Sequence, residues 1–148
     1  MEPHFFARVV VTAAVVIITG APLLADLNRT HASNPEWTPH ARFHVVWQVL
    51  SYGLLGLVSL FLIWVDGPLD KERLYLACTL MGCVIVAFFT AAATVRRFGG
   101  AFYDRNGYPP FATRRILGRP VEFDVNATGF SVFALILLAA VGSVWTSA

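Results

Sequence analysis

A chain of 148 residues that is 57% hydrophobic and only 14% charged, with a mean hydropathy of +0.64, falls outside the composition of a soluble domain, where about a quarter of residues carry charge. Its formal net charge of +2 is too small for a nucleic-acid-binding protein. The length suits one compact domain, 1–148, without a separate soluble module.

The first element is an uncharged run from Val9 to Ala25, which Phe5, Phe6 and a snorkelling Arg8 extend to a span over 5–25. A secretory leader is the alternative, but Leu23 is too large for the small-residue position ahead of a cleavage site. Similar stretches predict spans at 43–65, 74–95 and 127–147. At about 1.5 Å of rise per residue each crosses a hydrocarbon core of about 30 Å. The expected fold is an all-α, integral membrane four-helix bundle with a short first loop and a long, irregular third loop on the same face.

The first loop, Asp26 to His44, holds three of the four histidines. Thr38 followed by Pro39 reads as an N-cap and first helical residue. His40 and His44 then share a helix face, continued into the membrane by Trp47, Gln48, Ser51 and Tyr52. Polar groups in a span are costly unless they meet partners or line a cavity, so this stripe is expected to face the bundle interior. Thr12, Thr19 and Asp26 on the first helix are its expected partners, as are Thr79, Cys83, Thr90, Thr94 and Arg97 on the third. Taken singly, such hydroxyls more often bond back to their own backbone. His4, near the terminus, is expected to be solvated.

Gly67-Pro68 predicts a tight turn and antiparallel second and third helices. Cys78 and Cys83, five residues apart, point in different directions and read as small packing residues. In the third loop, Asp104-Arg105-Asn106-Gly107 and Tyr108-Pro109-Pro110 are turn signals. FATRRI and VEFDV flank Leu-Gly-Arg-Pro in the manner of a short hairpin. The loop's aromatic residues and arginines suit the headgroup layer and lipid phosphates; the other reading is a lid over the first loop. Arg8, Lys71 and Arg73 lie on one side. Arg29, Arg42, Arg96, Arg97, Arg105, Arg114, Arg115 and Arg119 lie on the other, which the positive-inside rule places in the cytoplasm.

The pattern admits three kinds of function. The first is a pocket for a lipidic or other hydrophobic small molecule, with membrane lipids around it. Its lining would include Asn28, His31, Glu36, Trp37, Trp47, Gln48, Tyr52, Arg96 and Arg97. If it is catalytic, His40 and His44 are the expected proton carriers, Asp26 orients them, and Arg96 or Arg97 contacts an anion. The second is an accessory or structural subunit of a larger membrane complex. The third is a single metal ion held by His31, His40 and His44, since imidazole and carboxylate donors suit zinc or iron. Four histidines are too few for the ligand sets of di-iron membrane hydroxylases. No cofactor is specified by any motif.

The run from Asp26 to His44, D-x-N-x-T-H-x-x-N-P-x-W-x-P-H-A-R-F-H, resembles the signature of a family of small bacterial four-helix membrane proteins of unassigned function. The resemblance implies a bacterial inner-membrane protein and supports the first-loop cluster as the family's site. The span number and pocket architecture are similar, more loosely, to the sterol-isomerase (emopamil-binding) superfamily. That superfamily relies on acids within its spans, and no acid lies within a predicted span here, so only the pocket architecture carries over.

Overall fold

The computed structural model describes residues 4–104 and 106–147; Arg105, counted above with the long loop, lies outside them. Four helices, α1 (Phe5–Asp26), α2 (Pro39–Trp64), α3 (Asp70–Thr94) and α4 (Val125–Thr146), are all long and apolar enough to cross a membrane. A 3₁₀ turn, Val95–Arg97, follows α3, and the long loop carries strands β1 (Ala112–Ile116) and β2 (Arg119–Phe123). The fold is the expected all-α membrane bundle with a minor hairpin.

The helices α2 and α3 start earlier than hydrophobicity alone indicates. Thr38 Oγ1 accepts from Ala41 N at 3.2 Å with Pro39 in the first turn, which places the start of α2 ahead of His40. Asp70 and Glu72 occupy the first turn of α3, where acidic side chains complement the helix dipole. Asp124 caps α4 in the same way, accepting from Ala127 N at 2.8 Å.

Helix α1 packs against all three others, and Ala7, Val11, Ala14, Val15 and Ile18 form its buried stripe. Ile63 of α2, Leu74, Ala77, Cys78, Met81, Val84 and Ile85 of α3, and Phe130, Ala140 and Val144 of α4 close the core. Cys78 is buried whereas Cys83 is exposed, as their spacing requires. The outward side chains, among them Leu54, Leu57 and Phe61, are exposed apolar residues, suited to lipid. In lipid the helices gain little from apolar burial and depend on close packing.

Helix α1 packs closely against α2 at Gly56. A Cβ there would lie 2.7 Å from Thr19 Oγ1 and 3.1 Å from its Cγ2. Gly56→Ala should therefore destabilise the bundle by about 1–3 kcal/mol, the usual cost of overpacking. Adding Thr19→Ala should recover most of that loss, and a double-mutant cycle of unfolding in detergent measures the coupling.

At the end of the bundle where α1 begins and α4 ends, polar side chains are paired. Arg8 is not snorkelling: it is 5% exposed, and its Nη2 donates to Asp70 Oδ2 at 2.8 Å. Arg73 donates to the other Asp70 oxygen and to Gly67 O at 3.0 Å. Nor is His4 simply solvated. The Ser147 hydroxyl donates to Val144 O at 2.8 Å, so it accepts from His4 Nδ1, 2.8 Å away.

Candidate functional site

The first and third loops meet at the opposite end, and the order of the site begins with Asn28. Its Nδ2 donates to Leu24 O at 3.1 Å and to Ala25 O at 2.8 Å, covering carbonyls that the end of α1 leaves open. That fixes Oδ1 as an acceptor, and it receives both Thr30 N at 2.8 Å and Thr30 Oγ1 at 2.7 Å. With its one proton given to Asn28, the Thr30 hydroxyl accepts from His31 Nδ1 at 2.7 Å. His31 thus carries a proton on Nδ1, and among the described residues its Nε2 makes no hydrogen bond. Asp26 Oδ1 stands 3.7 Å from the same Nδ1, and Ala32 N donates to Asp26 O at 3.0 Å, folding the loop back over the end of α1.

The third loop docks on this arrangement. Buried Asn34 donates from Nδ2 to Thr30 O at 3.1 Å and to Asn106 O at 2.9 Å, while its Oδ1 accepts from Glu36 N at 3.0 Å. Trp37 Nε1 donates to Asp104 Oδ2 at 2.9 Å. The His31 ring packs against both Trp37 and Tyr108, with centroids 5.0 and 5.1 Å away. Gly107 approaches so closely that a Cβ there would lie 2.4 Å from Thr30 O. Further along the loop, Asn126 Nδ2 donates to Phe102 O at 2.9 Å.

Beneath the docked loops lies a cavity of about 490 Å³. Its polar lining comprises Asp26, His31, Trp37, Gln48, Tyr52 and Asn126. Gln48 Nε2 donates to Tyr52 Oη at 3.1 Å. The apolar walls include Pro22, Val45 and Phe133, along with Phe88 and Phe130, whose rings stack at 4.0 Å and 5°. Among the described residues, no arginine or lysine belongs to the lining.

The predicted stripe on α2 therefore divides. Gln48 and Tyr52 line the cavity, whereas His40, His44 and Trp47 lie outside its lining and cluster with one another. The two imidazole Nε2 atoms are 3.0 Å apart, and the His44 ring lies 5.8 Å from that of Trp47. Ser51 bonds back to Trp47 O, and on α3 Thr79, Thr90 and Thr94 bond back to their own helix. Thr12 instead accepts from Trp64 Nε1 at 3.0 Å, and Thr19 donates to Val15 O.

His31 is thus separated from His40 and His44. Among the described residues, no three His, Cys, Asp or Glu side chains come together in a metal-holding group. Glu36, Arg96 and Arg97 are exposed and line none of the cavity. The participants not anticipated as site residues include Thr30, Asn34, Asp104, Tyr108 and Asn126. Asn34 precedes Pro35 and Asp104 opens a turn signal, yet neither pattern says which backbone the side chain will meet.

Against known proteins, a family model described as a family of unknown function (DUF6640) matches residues 9–101. No curated protein and no solved structure matches the chain. The matched stretch holds α1, except its first turn, with the whole first loop, α2 and α3; the hairpin and the α4 wall of the cavity lie beyond it.

Proposed function

The chain belongs to the family of unknown function DUF6640, and from that premise we propose that this multi-pass membrane protein binds a lipidic or other hydrophobic small molecule in the cavity under its docked loops. The observation that carries this reading is the segregation of the lining. Polar Asp26, His31, Gln48 and Tyr52 share one cavity of about 490 Å³ with the aromatic Phe88, Phe130 and Phe133. Concave sites of this size with a few convergent polar groups are the usual form of small-molecule sites. Among the described residues no arginine or lysine lines the cavity beside the Asp26 carboxyl, and such a lining disfavours an anionic headgroup.

In this reading the contribution of each side chain follows from its bonding. His31 Nε2 and the Tyr52 hydroxyl offer an acceptor and a donor to the ligand, and Trp37, committed to Asp104, offers its ring face. Proton transfer, where the protein performs it, falls to His31 rather than to His40 and His44. The Asp26 carboxylate beside Nδ1 stabilises the imidazolium formed when Nε2 takes a proton. The exposed His40–His44 pair then belongs to the outer rim. By the distribution of arginines, the two larger loops face the cytoplasm and the spans lie in the cell membrane.

The test uses Gly129, which lines the cavity and where an added Cβ would meet nothing within 4 Å. Gly129→Leu fills the cavity from the α4 side without touching the polar end. Native mass spectrometry of the purified protein should detect a retained amphiphile, and the variant should lose it with its helicity intact. Equal retention by Gly129→Leu, or no retained molecule in the wild type, counts against the proposal. Stoichiometric co-purification with a larger assembly would favour the accessory-subunit reading instead.

A further inference from the structure

The hairpin of the third loop contributes nothing to the cavity and packs against no helix to any substantial extent. Its register pairs Ala112 with Phe123, Arg114 with Val121 and Ile116 with Arg119. Since directly opposed residues share a face, those six side chains form one surface: four apolar groups and two guanidiniums, with no acid. Thr113, Arg115, Pro120 and Glu122 form the other. Among the described residues, none of Arg114, Arg115 and Arg119 has a carboxylate within ion-pair distance.

The turn carries a second anomaly. Leu117 and Gly118 both have positive φ, 51° and 77°, the geometry of a two-residue type I′ turn, for which Asn-Gly is the favoured sequence. A leucine there is conformationally strained, and at 98% exposure it gains no packing in return. Nothing in the fold of the hairpin accounts for a strained apolar residue at its tip. An isolated two-stranded hairpin is also only marginally stable in water.

A bilayer surface accounts for all three features, and it is adjacent: β2 ends at Phe123, Asp124 caps the next helix, and the membrane-crossing α4 begins at Val125. We infer that the β1–β2 hairpin is a lipid-reading element that lies on the anionic headgroup layer of the membrane its own helices span. Arg114 and Arg119 meet lipid phosphate oxygens. Ile116, Leu117, Val121 and Phe123 enter the boundary between headgroups and acyl chains, and Thr113, Arg115 and Glu122 stay in water. The same loop carries Asp104 and Tyr108 onto the first loop, so headgroup charge is sensed next to the cavity mouth.

Hydrogen exchange of the full chain in nanodiscs tests this. In discs containing phosphatidylglycerol, amides of 112–123 should exchange more slowly than in pure phosphatidylcholine. The difference should shrink by about fivefold for each arginine neutralised in R114Q and R119Q, and it should vanish in high salt. A second variant, Leu117→Asn, places the favoured residue in the turn and so keeps the hairpin while removing its apolar tip; it too should exchange faster in the anionic discs. Unchanged protection of α1 to α4 shows that the variants are folded. Equal exchange in the two lipids, or full protection retained in both R114Q/R119Q and Leu117→Asn, would overturn the inference.

Discussion

Asp70→Asn is expected to lower the unfolding free energy by up to about 3 kcal/mol, the lower end of what removing one partner from a buried ion pair costs, because the Asp70 side chain is itself 28% exposed. Its partner Arg8 has a side chain only 6% exposed, with Nε buried and without a hydrogen bond among the described residues. The guanidinium lies 6.0 Å from the Trp64 ring centroid. Neutralising Asp70 leaves that buried charge uncompensated and removes a contact of Arg73 as well. Arg8→Leu should cost less, because it removes the buried charge together with its desolvation penalty. Unfolding in detergent measures both, with the exposed Glu72→Gln as control. A loss no larger for Asp70→Asn than for Glu72→Gln would show that the pair contributes little.

Gly107→Ala should undock the two larger loops. The added methyl would sit 2.4 Å from Thr30 O and 3.3 Å from Asn34 Nδ2, both held in the network that orients His31. Backbone cannot retreat as a side-chain end can, so the strain is expected to reach about 1–3 kcal/mol and to appear as displacement of residues 104–108. The Trp37–Asp104 and Asn34–Asn106 hydrogen bonds would be lost together. Hydrogen exchange over residues 28–37 should rise markedly while that of the helices stays constant, and capture of the cavity ligand should fall. Unaltered exchange in that segment would show that the close approach is not required. Asn34→Ala, which deletes the bonds without adding bulk, should give the same signature by a separate route.

Some of this organisation was legible residue by residue. A span is a local property: an uncharged run either suffices to cross the hydrocarbon or does not, and Thr38-Pro39 marks a helix start wherever it falls. The hairpin was visible too, although the turn is Leu117-Gly118 alone, with Arg119 and Pro120 already in β2. The stripe on α2 was half legible. Helical periodicity places His40, His44, Gln48 and Tyr52 along one side of the helix, but a stripe drawn over several turns slowly winds around the axis. Its deeper part meets the cavity and its upper part faces outward.

Four helices able to cross a membrane, their order, and the gathering of polar groups in two loops at one end are all written locally in the chain, because hydropathy, caps and turn residues act over a few neighbours. Which of those groups meet is set by the folded loops. His31 sits with Asp26, Thr30 and Tyr108 rather than with His40 and His44. Arg96 and Arg97 stay off the cavity, and Asn34 reaches the backbone of Asn106. Such meetings depend on the path of irregular backbone whose hydrogen bonds are satisfied by distant residues. No periodicity along the chain encodes that path.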